Sequence, residues 1–126
     1  MVKWIVIALC LVTTSIFPKI MTGTVVYVID GDTLIVEKNN EKYKVRLAHI
    51  DAPEIGKPYA DQATNELQKL CLNKYVIMYA IEKDKYERWV SIVRVNNIDV
   101  NKQLVKKGLA KWYEAFSQDM SYKWIQ

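Results

Sequence analysis

The central part of the chain opens on a strand-like pattern of apolar and polar residues. Residues 24–30 are rich in Val, Ile and Tyr, residues 33–37 resume this pattern, and residues 42–48 alternate polar and apolar side chains. Such patterns are typical of half-buried β-strands. Asn39 and Asn40 suit the turn between the last two segments, because asparagine tolerates a positive φ. The pattern therefore predicts a three-stranded meander.

A helical pattern follows. Pro53, Gly56 and Pro58 interrupt the strands, and apolar residues then share one face of a helix over about residues 59–72: Ala60, Ala63, Leu67, Leu70 and Cys71. Proline is accepted at a helix start, because its missing N–H would have no partner there. We predict an amphipathic helix packed on the strands.

The second half of the chain predicts further strands and a second helix. Strand composition returns at residues 74–81 and 88–95, and residues 98–100 suit a short returning strand. Asn101 is an apt N-cap and Gly108 an apt C-terminal residue for the helix between them. This order of elements predicts a mainly β fold with helices (α+β), namely a five-stranded OB-fold barrel with two to three helices. Other small barrels fit the same pattern.

The N-terminal segment has the three regions of a signal peptide. Lys3 precedes the apolar residues 4–12, and small residues follow up to Ser15, after which cleavage is conceivable. The apolar run is shorter than the ~20 residues that a membrane-spanning helix needs. We expect residues 1–23 to direct export, to the medium, the periplasm or the cell envelope, and residues 24–126 to form the folded domain. A buried N-terminal element and an uncleaved anchor are the alternatives.

Composition fits one compact domain and adds little about function. Of the 126 residues, 51% are hydrophobic and 25% charged, with a net charge of +4. A modest positive charge favours contact with a polyanion only slightly. Cleavage of the signal would leave Cys71 as the one cysteine, so we expect a buried apolar role and no internal disulfide.

Four acidic residues lie where predicted strands end or turn, and two arginines lie in or beside strands. They are Asp30, Asp32, Asp51 and Glu54, with Arg46 and Arg88. Carboxylates that converge at strand ends can bind a hard cation such as Ca²⁺, which prefers oxygen ligands. Arginine suits the charge that develops on a phosphodiester under attack. Scattered acidic residues are more often simply solvated, so these positions alone only suggest a metal-assisted hydrolase.

Four motifs resemble the staphylococcal nuclease (thermonuclease) family. They are V-I-D-G-D-T-L at residues 28–34, V-R-L-A-H-I-D-A-P-E at 45–54, D-K-Y-E-R at 84–88, and the segment 100–110. Their order and spacing hold across roughly residues 24–116. The resemblance implies an OB-fold core and calcium-dependent cleavage of DNA and RNA with little sequence preference.

The resemblance also implies a role for each matching residue in the site. Asp32 and Asp51 correspond to the side-chain ligands of one Ca²⁺ ion, and the backbone carbonyl of Ala52 to a further ligand. Glu54 corresponds to the general base, or to the group that positions the attacking water. Asp30 corresponds to an acidic residue behind the metal ligands.

The phosphate contacts are implied in the same way. Arg46 and Arg88 correspond to the arginines that hold the scissile phosphate and stabilise the transition state. Lys85 and Tyr86 correspond to residues that contact a terminal phosphate of the bound nucleotide.

Two positions depart from the family pattern. Glu87 stands where the family often has glycine, and its side chain either faces solvent or weakens substrate binding by repulsion. A third helix would begin at Ser117, but only residues 117–126 remain, so we expect a shortened C-terminal helix and lower stability than is usual for the fold.

Other residues invite a role without a motif to support one. His49 is the single histidine, and we expect a structural role for it. Trp112, Tyr113 and Phe116 either stack on bases or pack a helix on the barrel.

The leading interpretation is a calcium-dependent nuclease that acts on DNA and/or RNA. A non-catalytic OB module that binds nucleic acid is the alternative, but all five expected residues are present: Asp32, Arg46, Asp51, Glu54 and Arg88. An envelope-tethered structural protein would explain none of the motifs. We expect a monomer with no stable protein partner, in contact with a membrane only through its N-terminal segment during export.

Overall fold

The computed structural model describes residues 18–113, and the structural statements that follow concern that part of the chain. Its elements are β1 (Lys19–Asp30), β2 (Thr33–Lys38), β3 (Glu41–Leu47), β4 (Ile50–Asp51), α1 (Ala60–Cys71), β5 (Tyr75–Lys83), β6 (Trp89–Val95), β7 (Ile98–Asp99), α2 (Val100–Lys106) and β8 (Lys111–Trp112). Five strands lie in the order β3-β2-β1-β5-β6, and a parallel pairing of β3 with β6 closes them into a barrel. The predicted α+β fold with a five-stranded OB-type barrel is confirmed.

β1 is long enough to take part in two antiparallel pairings. Its residues 24–30 pair with β2, and its residues 19–24 pair with β5. Register shifts within the β1–β2 pairing bend the strand, as β-bulges do at the corners of barrels. Gly23 lies where the two pairings meet, and a Cβ there would stand 2.6 Å from Cγ1 of Val36. Only glycine lets the strands approach this closely.

The core joins the barrel interior to the buried face of α1. Leu67 and Cys71 of α1 are completely buried in the same cluster as the barrel valines and leucines. Burial of a leucine side chain contributes about 2 kcal/mol to folding. Gly31, in the β1–β2 turn, admits the helix, because a Cβ there would lie 2.6 Å from Ala63 Cβ and 2.8 Å from Ala52 Cβ. The turn is thereby held between α1 and the segment that follows β4.

Cys71 behaves as the sequence predicted. It is a free cysteine in the core, and its Sγ donates a hydrogen bond to the Leu67 carbonyl at 3.0 Å. Burial raises the pKa of its thiol to about 12, against a small opposing effect of the Lys74 charge. The thiol is therefore uncharged and shielded at neutral pH.

The start of β1 was predicted wrongly, while the bounds of α1 and β3 differ from the predictions by one residue. β1 begins at Lys19 and not at Thr24, because β5 supplies a partner for residues that the sequence assigned to the export segment. α1 begins at Ala60, since Tyr59 is its N-cap and has a left-handed φ of 68°. β3 ends at Leu47, and His49 lies in the turn that follows it, with a φ of 69°.

The start of α2 also differs from the prediction. Asp99, not Asn101, is the N-cap, and its Oδ1 accepts a hydrogen bond from the Lys102 N–H at 3.0 Å. The Asn101 amide faces the core instead, where it makes hydrogen bonds of its own. The predicted end of the helix is close to the observed one, because Gly108 follows the cap residue with a φ of 72°.

Several predictions lie outside the described residues. They are the third helix from Ser117, the aromatic residue Phe116 and the export segment up to residue 17. No helix among residues 18–113 is long and apolar enough to span a membrane.

Candidate active site

The turn between β1 and β2 fixes the carboxylate of Asp32. The Asp32 N–H donates to Asp30 Oδ1 at 3.1 Å, which shapes the turn. Thr33 Oγ1 donates to Asp32 Oδ1 at 3.1 Å, and the Ala52 N–H donates to Asp32 Oδ2 at 2.9 Å. Asp32 is buried, with only 7% of the residue exposed. Its hydrogen bond to Ala52 connects the turn to the segment that follows β4.

Arg46 joins the two carboxylates that the sequence assigned to a metal ion. Its Nη2 lies 3.4 Å from Asp32 Oδ2 and 3.3 Å from Asp51 Oδ1. Its Nη1 donates to the carbonyls of Leu47 at 2.7 Å and Ile50 at 2.9 Å. One terminal nitrogen of the guanidinium thus fixes the turn before Asp51, and the other contacts both carboxylates.

The environment of Asp32 makes its charge costly. Burial is the largest effect and raises the pKa of Asp32 from 3.8 to about 6. The charge of Arg46 and the N–H of Ala52 act against this rise in the pKa, and the neighbouring Asp30 adds to it. A cation bound beside Asp32 would favour its ionised form.

Arg88 is held in the loop before β6 by a single carboxylate. Asp84 Oδ2 accepts from Arg88 Nε at 2.8 Å, and Asp84 Oδ1 accepts from the backbone N–H groups of Arg88 and Tyr86, both at 2.9 Å. Partial burial acts to raise the pKa of Asp84, but these hydrogen bonds and the charge of Arg88 outweigh it and lower the pKa below 3.8. Asp84 is therefore ionised at neutral pH.

The same loop carries the predicted terminal-phosphate residues. Lys85 Nζ lies 5.1 Å, and Arg88 Cζ 5.3 Å, from the centroid of the Tyr86 ring. Both distances are within the range of a cation–π contact. Tyr86 is 63% exposed and Lys85 is exposed as well, whereas Arg88 is half-buried.

A cavity of about 320 Å³ brings the two predicted arginines together. Arg46, Asp51, Asp84 and Arg88 all line it. The side chains reach it from β3, β4 and the loop between β5 and β6. Positions far apart in the sequence therefore converge on a space that could admit a phosphate group.

Glu54 lies outside that cavity. It is exposed, in the turn after β4, where its carbonyl accepts the Lys57 N–H at 2.9 Å. Glu54 lines a second cavity of about 470 Å³, and Asp51 belongs to the lining of both. The predicted general base and the arginines are thus placed on either side of Asp51.

The residues around Asp32 and Asp51 fit a hard cation better than a transition metal. Two carboxylates converge on the positively charged Nη2 of Arg46. Among residues 18–113, no group of three or more His, Cys, Asp or Glu side chains is close enough to hold an ion. Ca²⁺ takes 6–8 oxygen ligands and accepts backbone carbonyls and water beside a few carboxylates. The two carboxylates suit such an ion when carbonyls and water complete its shell.

The aromatic residues near the end of the described chain have different surroundings. Trp112 packs against the core, in the short pairing that sets it opposite Ile50. Tyr113 is 44% exposed and lines the first cavity. The His49 carbonyl accepts the Tyr113 N–H at 2.6 Å, so the turn at His49 anchors the segment after β8.

Glu87 has an exposed side chain, as expected for a loop residue facing solvent. Its backbone adopts a φ of 62°, in the left-handed region that glycine occupies without strain. Glutamate in place of the family's glycine therefore places a side chain on a backbone conformation that favours glycine.

Sequence reasoning missed two residues that support the site. Asp84 was counted only as part of a motif, although its spacing of four from Arg88 permits the observed ion pair. Asn101 was assigned as a cap, yet its Nδ2 donates to the carbonyls of Ala48 and Ser91, and its Oδ1 accepts from the Val93 N–H. No local pattern distinguishes such a buried amide from a cap.

Comparison with known proteins agrees with this geometry. The family described as staphylococcal nuclease homologue matches residues 44–125. A protein named "uncharacterized endonuclease" from Haemophilus influenzae is 37% identical over 102 residues, which cover 80% of this chain and 57% of the relative. One of the same name from Escherichia coli O157:H7 is 31% identical over 118 residues, covering 93% of this chain and 77% of the relative.

A plant protein gives a shorter match. A probable staphylococcal-like nuclease of rice is 37% identical over 78 residues, which cover 62% of this chain. The chain spans 24% of that relative's length and 57% of the Haemophilus relative's length.

Proposed function

This chain belongs to the staphylococcal nuclease homologue family, and from that premise we propose that it is a calcium-dependent nuclease. Its substrates would be the phosphodiester bonds of DNA and/or RNA, cleaved with little sequence preference. The observation that carries this proposal is the convergence of Arg46 and Arg88 on one cavity that also includes Asp51. Two guanidinium groups facing one space match the charge of a phosphodiester, which becomes more negative under attack.

Each side chain has a chemical task in this proposal. Arg88, oriented through its Nε by Asp84, presents its terminal nitrogens to a phosphate oxygen. Arg46 adds a second positive charge from β3, the strand that pairs with β6. Asp32 and Asp51, with the carbonyl of Ala52, would hold the Ca²⁺ ion. Glu54 would orient the attacking water or take its proton.

The ion itself would supply positive charge beside the reacting phosphate and lower the pKa of water. The protein holds the surrounding groups in place before substrate arrives, because Asp32 and Arg46 are already fixed by hydrogen bonds. Such preorganisation removes the cost of aligning charges during the reaction.

Digestion of denatured DNA by the full chain tests this function. We expect cleavage with Ca²⁺ and none with a chelator, and a loss of about 100-fold or more in Glu54→Gln and Arg88→Ala. Matched controls are Glu41→Gln and Arg94→Ala, since Glu41 contacts Tyr43 and Arg94 contacts the Asn97 carbonyl, neither near a cavity described above. Equal digestion in chelator would reject the metal-dependent mechanism.

The same experiment separates the enzyme from a non-catalytic binding module. A binding module would retain a labelled strand in a gel-shift assay yet cleave nothing with Ca²⁺. Full activity of both site variants beside the controls would reject the assigned roles while leaving the enzyme class intact.

We also propose that the N-terminal segment directs export, because Lys3 precedes the apolar residues 4–12 and small residues follow up to Ser15. Expression of the full chain with fractionation of the cells, followed by N-terminal mass measurement, tests it. Retention of intact residues 1–15 in the cytoplasm would reject export.

A further inference from the structure

The second cavity has features that the assigned roles do not use. Besides Asp51 and Glu54, its lining includes Lys57, Tyr59 and Lys111. Both lysines are exposed, and no ion pair ties either to an acidic residue within residues 18–113. The cavity thus presents two cations and an aromatic ring beside the proposed general base.

Tyr59 holds its ring outward on a strained backbone. The residue has φ 68° and ψ 2°, a left-handed conformation that aromatic residues rarely adopt. It is 64% exposed, and its side chain caps nothing in α1. The backbone is nevertheless fixed, because the Tyr59 carbonyl accepts the Ala63 N–H at 3.0 Å. Strain kept at an exposed aromatic position is a reason to look for a function there.

The second cavity adjoins the first at Asp51. Asp51 lines both, and Lys111 lies directly opposite Asp51 in the β4–β8 pairing. A nucleic-acid strand cleaved within its length must extend on both sides of the scissile phosphate. The Arg88 loop, with Lys85 and Tyr86, takes one side, so the other side reaches past Asp51 into the cavity of Lys57 and Tyr59.

We propose that this cavity is a second nucleotide subsite, in which Tyr59 stacks on a base of single-stranded nucleic acid and Lys57 and Lys111 contact its phosphates. Stacking on an exposed ring is indifferent to base identity, because every base has a π-face. The subsite rests on the proposed nuclease function.

Kinetics on a single-stranded 12-nucleotide DNA test the stacking. Tyr59→Gly is chosen because glycine accepts the positive φ and should leave the fold intact. We expect its KM to rise about tenfold with kcat within twofold, while Tyr59→Phe keeps the wild-type KM. Tyr75→Ala is the matched control, since Tyr75 is 61% exposed but lies in β5 outside both cavities.

A strand of the same length without bases separates stacking from other effects. Its KM should be the same for the wild type and for Tyr59→Gly, because an abasic strand has nothing to stack. Lys57→Ala and Lys111→Ala should each reduce the slope of log KM against log salt by about 0.7, and the control Lys42→Ala should not. An unchanged KM of Tyr59→Gly on the normal strand would overturn the subsite.

The failure of the enzyme function can be told apart from the failure of the subsite. If the wild type cleaves nothing with Ca²⁺, the nuclease proposal fails, and fluorescence anisotropy with the same labelled strands replaces KM by Kd. A Kd raised about tenfold by Tyr59→Gly would still support the subsite. An unchanged Kd would reject it.

Discussion

Asp84 holds Arg88 twice, through the side-chain Nε at 2.8 Å and through the backbone N–H at 2.9 Å. One carboxylate therefore fixes both the turn of the loop and the direction of the guanidinium. Within residues 18–113 the terminal nitrogens of Arg88, Nη1 and Nη2, make no hydrogen bond or ion pair. The pairing leaves them available to a ligand in the first cavity.

Loss of this pairing should weaken catalysis without unfolding the barrel. We expect Asp84→Ala to lower kcat/KM on DNA by about 10- to 100-fold, because a misdirected arginine loses most of its contact with the transition state. Asp84→Glu should restore part of this loss. Steady-state kinetics with Ca²⁺ measure the effect, and thermal melts verify folding.

Asp61→Ala is the control for Asp84→Ala. Asp61 is an exposed carboxylate in the first turn of α1, outside the linings of both cavities. If Asp84→Ala had wild-type kcat/KM, the positioning of Arg88 by Asp84 would be irrelevant to the reaction.

The sequence predicted the order of the strands well because local patterns carry that information. Alternation over residues 42–48 and the asparagine turn identified the β2–β3 hairpin, which the structure contains as Thr33–Lys38 and Glu41–Leu47. The early start of β1 was missed, since it depends on a partner strand more than 50 residues away. Pairing over such a separation leaves no mark on local composition.

The site shows the same division. The motifs predicted Arg46, Arg88 and Asp51 as site residues, and the fold brings all three to one cavity. They gave no hint that Glu54 would line a neighbouring cavity, or that Arg46 would bridge two carboxylates. The bridging position of Arg46 is fixed by the turn after β3, because the carbonyls of Leu47 and Ile50 accept hydrogen bonds from its Nη1.

The pKa of Asp32 predicts how stability varies with pH in the absence of metal. Burial raises this pKa from 3.8 to about 6, so the folded state binds the proton more tightly than the unfolded state does. Protonated Asp32 therefore contributes about 3 kcal/mol to the free energy of unfolding. This contribution is fully present below about pH 4 and is lost as pH rises through about 6. Urea denaturation in chelator at pH 4 to 7 measures it.

Asp32→Asn tests the source of that dependence, because the amide does not titrate. We expect the free energy of unfolding of the variant to increase relative to that of the wild type, by up to about 3 kcal/mol, as pH rises from 4 to 7. Asp61→Asn should follow the wild type at every pH. Parallel curves for the wild type and Asp32→Asn would exclude Asp32 as the titrating group.

Calcium should stabilise the protein in a pH-dependent way. In the proposed site the ion would bind the ionised carboxylate of Asp32, so protons would compete with it as pH falls below about 6. We expect Ca²⁺ at about 100 times its Kd to add about 2.7 kcal/mol to the free energy of unfolding at pH 7.5, and less at pH 5. Thermal melts with Ca²⁺ and with chelator measure this, and Asp32→Asn should show no calcium effect.

Asn101 should matter more for stability than its place in a short helix indicates. Its buried amide makes three hydrogen bonds, to Ala48, Ser91 and Val93, and so joins α2 to the turn before β4 and to β6. Asn101→Ala would leave buried backbone groups unpaired, at a cost of about 2–4 kcal/mol by urea denaturation. Gln103→Ala, at a half-buried position of the same helix, should cost less than about 1 kcal/mol.

Glu87 should be a site where substitution raises stability. Its φ of 62° strains a residue with a Cβ, and glycine adopts that conformation freely. We expect Glu87→Gly to increase the free energy of unfolding by about 1 kcal/mol. Glu87→Ala is the matched variant, since it removes the same charge but keeps the strain, and it should leave stability nearly unchanged. Equal stabilisation by both variants would attribute the effect on stability to the charge of Glu87 and not to its backbone. Kinetics on DNA would then show whether this charge also repels the substrate, because KM would be lowered equally in the two variants.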